Sequence, residues 1–190
     1  MDGSRVDSEV ADVDITEEKV MSMLEKLKEG KSPGPDAISP KLLRECKETL
    51  CYPLTKIFEK LLKEARLPSD WNVANVTPIH KGGDKTEPSN FRPVSLTSVP
   101  CKIMESIVFG QVKEHLTRNK VPNDIQHGFT AGRSCLTNLL VSLEEWTKAI
   151  DEECAVDIIY LDISKAFDSV PHKRLINKMN GYGLRAGWAG

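Results

Sequence analysis

The sequence predicts an α+β fold, and three observations predict it. Segments 16–30, 39–65, 99–119 and 134–151 carry apolar residues at helical spacing, with Thr16, Ser39 and Ser134 as recognisable caps for three of them. Residues 72–96 change to a roughly alternating, extended pattern interrupted by Gly82-Gly83-Asp84. Ala155 to Leu161 is a short run, mostly apolar or β-branched, that reads as a strand buried on both faces.

Residues 1–14 hold five acidic side chains and no core pattern, which predicts an acidic, disordered lead-in. Thr16 then caps a helix whose first turn holds Glu17 and Glu18; Val20, Met23, Leu24 and Leu27 form its apolar stripe, and Gly30 ends it. Lys31-Ser32-Pro33-Gly34-Pro35-Asp36 is a rigid, punctuated loop. Ser39-Pro40 opens a second helix to about Leu50. A third begins near Pro53, with Leu54, Ile57, Phe58, Leu61, Leu62 and Ala65 on one face.

Asn72–His80 and Asn90–Leu96 are expected to pair as a β-hairpin, with Lys81 and Arg92 near its turn. Those two cations suit a phosphate-binding face, or equally the solvated charges that protect a sheet edge. Residues 99–119 form a long amphipathic helix through Ile103, Met104, Ile107, Val108, Val112 and Leu116. Gln126-His127-Gly128-Phe129 and Gly132-Arg133-Ser134 read as loop, and no nucleophile accompanies His127 to make it a catalytic base. Ser134 caps a further helix to about Asp151, with Leu136, Leu139, Leu140, Leu143 and Trp146 expected inward.

With 39% apolar and 28% charged residues, the 190-residue chain has ordinary globular composition and enough length for a real core. No run is long and apolar enough to span a bilayer. Five scattered cysteines without a CxxC spacing argue against a zinc site or a disulfide framework, and for a reducing, intracellular compartment. Charge is divided: residues 1–30 hold nine acidic and four basic side chains, whereas residues 31–120 hold fifteen basic and ten acidic. That asymmetry permits a phosphate-binding surface without demanding one.

Asp162 ends the apolar run, and a buried strand should not carry an unpaired charge inward. At an exposed strand tip it can hold a cation, or form a turn or cap the following structure. A phosphatase-type nucleophile would want a second aspartate where Ser164 stands. Pro171 suits the first turn of a helix beyond.

Five pieces in register carry a resemblance: Gly30-Lys31-Ser32-Pro33-Gly34-Pro35-Asp36; Thr77 through Asp84; Asn90-Phe91-Arg92-Pro93-Val94-Ser95-Leu96; Gln126-His127-Gly128-Phe129; and Tyr160-Leu161-Asp162 through Phe167-Asp168. In order and spacing the chain resembles the reverse transcriptase domain of non-LTR (LINE-type, jockey- or CR1-like) retrotransposons, over about residues 15–185. The resemblance implies a right-hand polymerase: fingers over residues 15–152 and the first part of the palm over 153–190, with the thumb absent. It implies RNA-directed DNA polymerase activity on an RNA template, a DNA primer and deoxynucleoside triphosphates, with Mg2+ as cofactor, in the nucleus and cytoplasm and away from membranes. Asp162 then matches the metal-holding catalytic aspartate, and Ile163 adds its backbone carbonyl. Lys81 and Arg92 match the residues that grip the triphosphate, and Phe167 the bulky side chain that excludes a ribose 2′-hydroxyl. Gln126, Gly128 and Phe129 match the segment along the template, and Asp168 a structural hydrogen-bonding position.

The family's Tyr-x-Asp-Asp element is missing: the sequence contains no Asp-Asp pair, and 28 residues follow Asp162. Opposite unit charges 4 Å apart attract by roughly 4 kcal/mol at an effective dielectric of about 20, so lost carboxylates weaken metal binding substantially. The expectation is a fragment truncated before that element and inactive alone. The alternatives are a non-catalytic nucleic-acid-binding remnant and a functionless retroelement relic.

Overall fold

The computed structural model describes residues 9–10, 13–121, 123–163 and 166–184. The expected lead-in, the signature residues Ser164 and Lys165 and the segment 185–190 lie mostly or wholly outside them. Among the described residues the chain forms helices α1 (Glu17–Glu25), α2 (Pro40–Glu45) and α3 (Lys47–Glu64), then strands β1 (Asn75–His80) and β2 (Phe91–Leu96). Helices α4 (Val99–Arg118), α5 (Cys135–Asp151) and α6 (His172–Gly181) follow. Helices and a small antiparallel sheet make this an α+β fold.

The core lies between α1, α3 and α4. Val20, Leu24 and Phe58 are completely buried, and Leu43, Leu54, Val99, Ile103, Met104 and Ile107 close around them. Local signals start the helices where expected: Thr16 Oγ1 accepts from the Lys19 N–H, Ser39 Oγ from the Leu42 N–H, and Ser98 Oγ from the Cys101 N–H. Trp71 meets Phe58 edge to face at 6.1 Å, which anchors the entry to β1 on the core.

Four expectations of element and face need correction. Helix α1 stops at Glu25 rather than running to Gly30. The break expected before Pro53 falls instead at Cys46, and Pro53 sits inside α3. Proline removes one ladder bond there, but burial of Cys51, Leu54, Thr55 and Phe58 on that helix offsets the loss. Ile57 is on the exposed side of α3. Helix α5 is capped by a reciprocal Ser134–Thr137 box, yet Leu136, Leu139, Leu140 and Leu143 face solvent, because no other described element packs closely on them.

A larger correction concerns Ala155–Leu161. The run takes no strand conformation, and Ile159, Tyr160 and Leu161 are more than four-fifths exposed. A strand needs a ladder partner, and the only sheet among the described residues is the β1–β2 pair.

That pair runs antiparallel with Ile79 opposite Arg92 and Pro78 opposite Pro93. The Lys81 N–H donates to the Asn90 carbonyl at 2.9 Å, which marks 81:90 as a hydrogen-bonded pair. By alternation 79:92 and 77:94 are hydrogen-bonded too, and 78:93 is not. Both prolines therefore sit where the hairpin's own ladder asks for no N–H. Each removes a donor from an outer edge, which blocks a further strand from pairing there.

Helix α6 is tied back to the core at its end. His115 is buried, and its Nε2–H donates to the Tyr182 carbonyl at 2.6 Å, while the Val10 N–H reaches the Gly183 carbonyl at 3.0 Å. No helix among the described residues is long and apolar enough to cross a membrane.

Candidate functional site

The hairpin brings two of the proposed residues together. Side chains alternate along a strand, so Ile79, Lys81, Val94 and Arg92 share one face, with Lys81 diagonal to Arg92. Both cations are exposed. The opposite face carries His80 and Phe91, whose rings lie 5.2 Å apart, and the two prolines.

The turn between the strands is shaped by polar side chains. Asp84 Oδ1 accepts the Thr86 N–H at 2.9 Å, Asn90 Nδ2 donates to the Asp84 carbonyl at 2.9 Å, and His80 Nε2–H donates to the Gly83 carbonyl at 3.0 Å. Gly83 has φ 81°, and a Cβ there would press on Asn90 Nδ2 at 2.7 Å, so a substitution would be strained and would displace the Asn90 amide that closes the turn. Sequence reasoning missed Thr86 and Asn90; the aspartate two residues before a hydrogen-bonding N–H was the legible signal.

The Thr86 backbone N–H, helped by the Thr86 side chain, holds the Asp84 carboxyl below its ordinary value of 3.8. A depressed folded-state value stabilises the turn above the ordinary value, and the contribution is lost as pH falls through the folded one. The Thr86 amide resonance is accordingly expected to titrate with a midpoint below 3.8. A midpoint at or above that value in an NMR titration would contradict the turn geometry.

The loop before α5 holds the proposed template residues. Gln126 Nε2 donates to the Gly128 carbonyl at 3.0 Å, and His127 Nδ1 is hydrogen-bonded to Thr137 Oγ1 at 2.9 Å. His127 thus fastens the loop to the start of α5. Arg133, which sequence reasoning did not single out, donates to the Asp124 carbonyl across the same loop. Phe129 has φ 58° and stands 94% exposed. Its ring meets that of Phe167 edge to face at 6.0 Å, which joins a proposed template residue to the proposed sugar-excluding one.

Asp162 and Ile163 lie exposed on irregular backbone, and Asp168 is exposed in the turn that follows. No hydrogen bond or ion pair joins Asp162 to Lys81 or Arg92 among the described residues. Nor do three His, Cys, Asp or Glu side chains converge there in a way that could hold a metal ion. A groove of about 1230 Å³ runs between α3 and α4 past Leu61, Leu62, Met104, Val108 and Phe109, and none of the proposed residues lines it.

The family model described as reverse transcriptase (RNA-dependent DNA polymerase) matches residues 79–188, a span that contains every proposed site residue. The probable RNA-directed DNA polymerase from transposon BS of Drosophila melanogaster is 28% identical over 163 residues, covering 85% of this chain and 18% of that protein. The RNA-directed DNA polymerase from mobile element jockey of the same species is 28% identical over 165 residues, covering 86% of this chain and 18% of that one. The retrovirus-related Pol polyprotein from its type-2 retrotransposable element R2DM is 29% identical over 157 residues, or 83% and 14%. The chain therefore spans less than a fifth of the length of these relatives. The chain belongs to the reverse transcriptase family, and the three relatives above are named as RNA-directed DNA polymerases or a Pol polyprotein of transposable elements.

Proposed function

We propose that this chain is the nucleotide- and template-holding part of a retrotransposon's RNA-directed DNA polymerase, with fingers over residues 15–152 and the start of the palm over 153–190. The observation that carries it is the shared hairpin face of Lys81 and Arg92, inside the segment that matches the family. A triphosphate needs cations, and the two differ usefully. Arg92 offers a planar fork for bidentate phosphate contact, and Lys81 a point charge at the turn. In this reading Gln126, Gly128 and Phe129 lie along the RNA template. Phe167 excludes a ribose 2′-hydroxyl by bulk, and Asp162, with the Ile163 carbonyl, faces the reacting phosphate.

Magnesium would supply Lewis-acid stabilisation of the attacking and leaving oxygens in such a transfer. The residues present do not fit a resident pair of ions: Asp162 is an exposed carboxylate, and no group of three or more His, Cys, Asp or Glu side chains converges among the described residues. The chain is accordingly read as binding template and nucleotide without completing the chemistry by itself.

The test is a titration of the purified chain against an RNA-template–DNA-primer duplex, together with primer extension in magnesium. Binding is expected to weaken steeply with salt, because phosphate contacts release counterions, and no extension is expected. Salt-insensitive binding would remove the nucleic-acid reading. Magnesium-dependent extension abolished by Asp162→Ala would show the chain to be a complete catalyst.

A further inference from the structure

We propose that Gly34 is a positioning residue for Arg92, acting through the root of the hairpin. The loop Lys31–Asp36 is the strongest motif in the sequence that the proposed site leaves unused. Gly34 is buried, and a Cβ on it would lie 2.5 Å from the Thr97 carbonyl carbon and oxygen and 2.6 Å from the Ser98 nitrogen. Those are backbone atoms, which cannot swing aside. They form the junction between β2 and α4, five residues beyond Arg92, where Ser98 is completely buried and caps α4.

The loop is itself held stiff. Pro33 and Pro35 flank the glycine, and Asp36 Oδ1 accepts the Ile38 N–H at 3.2 Å across Ala37, which has φ 57°. The hairpin, by contrast, is exposed along most of both strands, and no described helix packs on it beyond marginal contact. Its direction is therefore set at its two roots: Trp71 against Phe58 on one side, and the Gly34 contact on the other. Moving the second root tilts the face that carries Lys81 and Arg92. Misplacement of a gripping group by about 1 Å is enough to cost on the order of a hundredfold in a positioned reaction.

The inference rests on the nucleotide reading above, and its test separates the two. Hydrogen exchange by mass spectrometry and binding of a fluorescent deoxynucleoside triphosphate are measured on the full chain for wild type, Gly34→Ala, Arg92→Ala and the double variant. Gly34→Ala is expected to speed exchange of the 75–96 amides while Val20, Phe58 and Ile103 stay protected. It is also expected to weaken triphosphate binding about tenfold, with the double variant binding little worse than Arg92→Ala alone. Unchanged hairpin exchange, or unchanged binding alongside a clear Arg92→Ala defect, overturns the inference. An Arg92→Ala chain that binds like wild type overturns the nucleotide reading instead, and hairpin exchange alone then decides whether Gly34 braces the root. Should Gly34→Ala not fold, Asp36→Ala, which adds no atoms and frees the Ile38 N–H, must loosen the same amides, or the inference fails.

Discussion

Arg92→Ala is expected to weaken binding of a deoxynucleoside triphosphate by roughly ten- to a hundredfold, the equivalent of about 1.5–3 kcal/mol for hydrogen bonds to a charged group. The effect should exceed that of Lys81→Ala. Arginine holds phosphate through a fixed fork, whereas an exposed lysine is a mobile, strongly hydrated charge. Both side chains stand in solvent, so both effects should shrink as salt rises; the screening length is only about 8 Å at physiological ionic strength. Arg92→Lys keeps the charge and loses the fork, and it should recover only part of the affinity. Fluorescence anisotropy with a labelled triphosphate, repeated at two salt concentrations, measures all of this. Equal affinity for wild type and Arg92→Ala would leave the shared hairpin face as ordinary edge protection.

Phe58→Ala should produce the largest change in stability, a loss of about 3–5 kcal/mol. The ring is completely buried between α1, α3 and α4 and meets Trp71 edge to face, so its removal leaves a cavity that the helices cannot fill without moving. Domains are typically stable by only about 5–15 kcal/mol, so the variant should be close to unfolding at room temperature. A urea titration followed by tryptophan fluorescence and by circular dichroism gives the midpoint. An unchanged midpoint would mean that the helical core is not organised around this side chain. Because Trp71 leads into β1, the same substitution should loosen the hairpin, which links core packing to the proposed grip on phosphate.

Much of the fold was legible because local chemistry decides it. Thr16, Ser39 and Ser134 each accept a backbone N–H at the start of the helix that follows them, as their residue types and positions imply. Gly82-Gly83-Asp84 gave the turn, and alternation gave its arms. Pro53 misled for a local reason too: a proline is a good boundary marker only when tertiary burial does not outweigh one missing ladder bond. Within the candidate site, Lys81 and Arg92 could be paired from the hairpin pattern alone. The Phe129–Phe167 contact could not, since it joins two loops far apart in the chain. Neither could the approach of Gly34 to Thr97 and Ser98.

The sequence by itself determined which residues begin each helix, where the chain turns, which side chains are chemically suited to phosphate and which family the ordered motifs belong to. These are properties of single residues and near neighbours, written in spacing and residue type. Only the tertiary structure decided which apolar faces are covered. The leucines of α5 and the Ala155–Leu161 run have the pattern of buried elements, yet they stand in solvent while Val20, Leu24 and Phe58 close the core. Periodicity encodes a face that gains from leaving water; burial requires a second surface of matching shape, and no stretch of sequence names that surface.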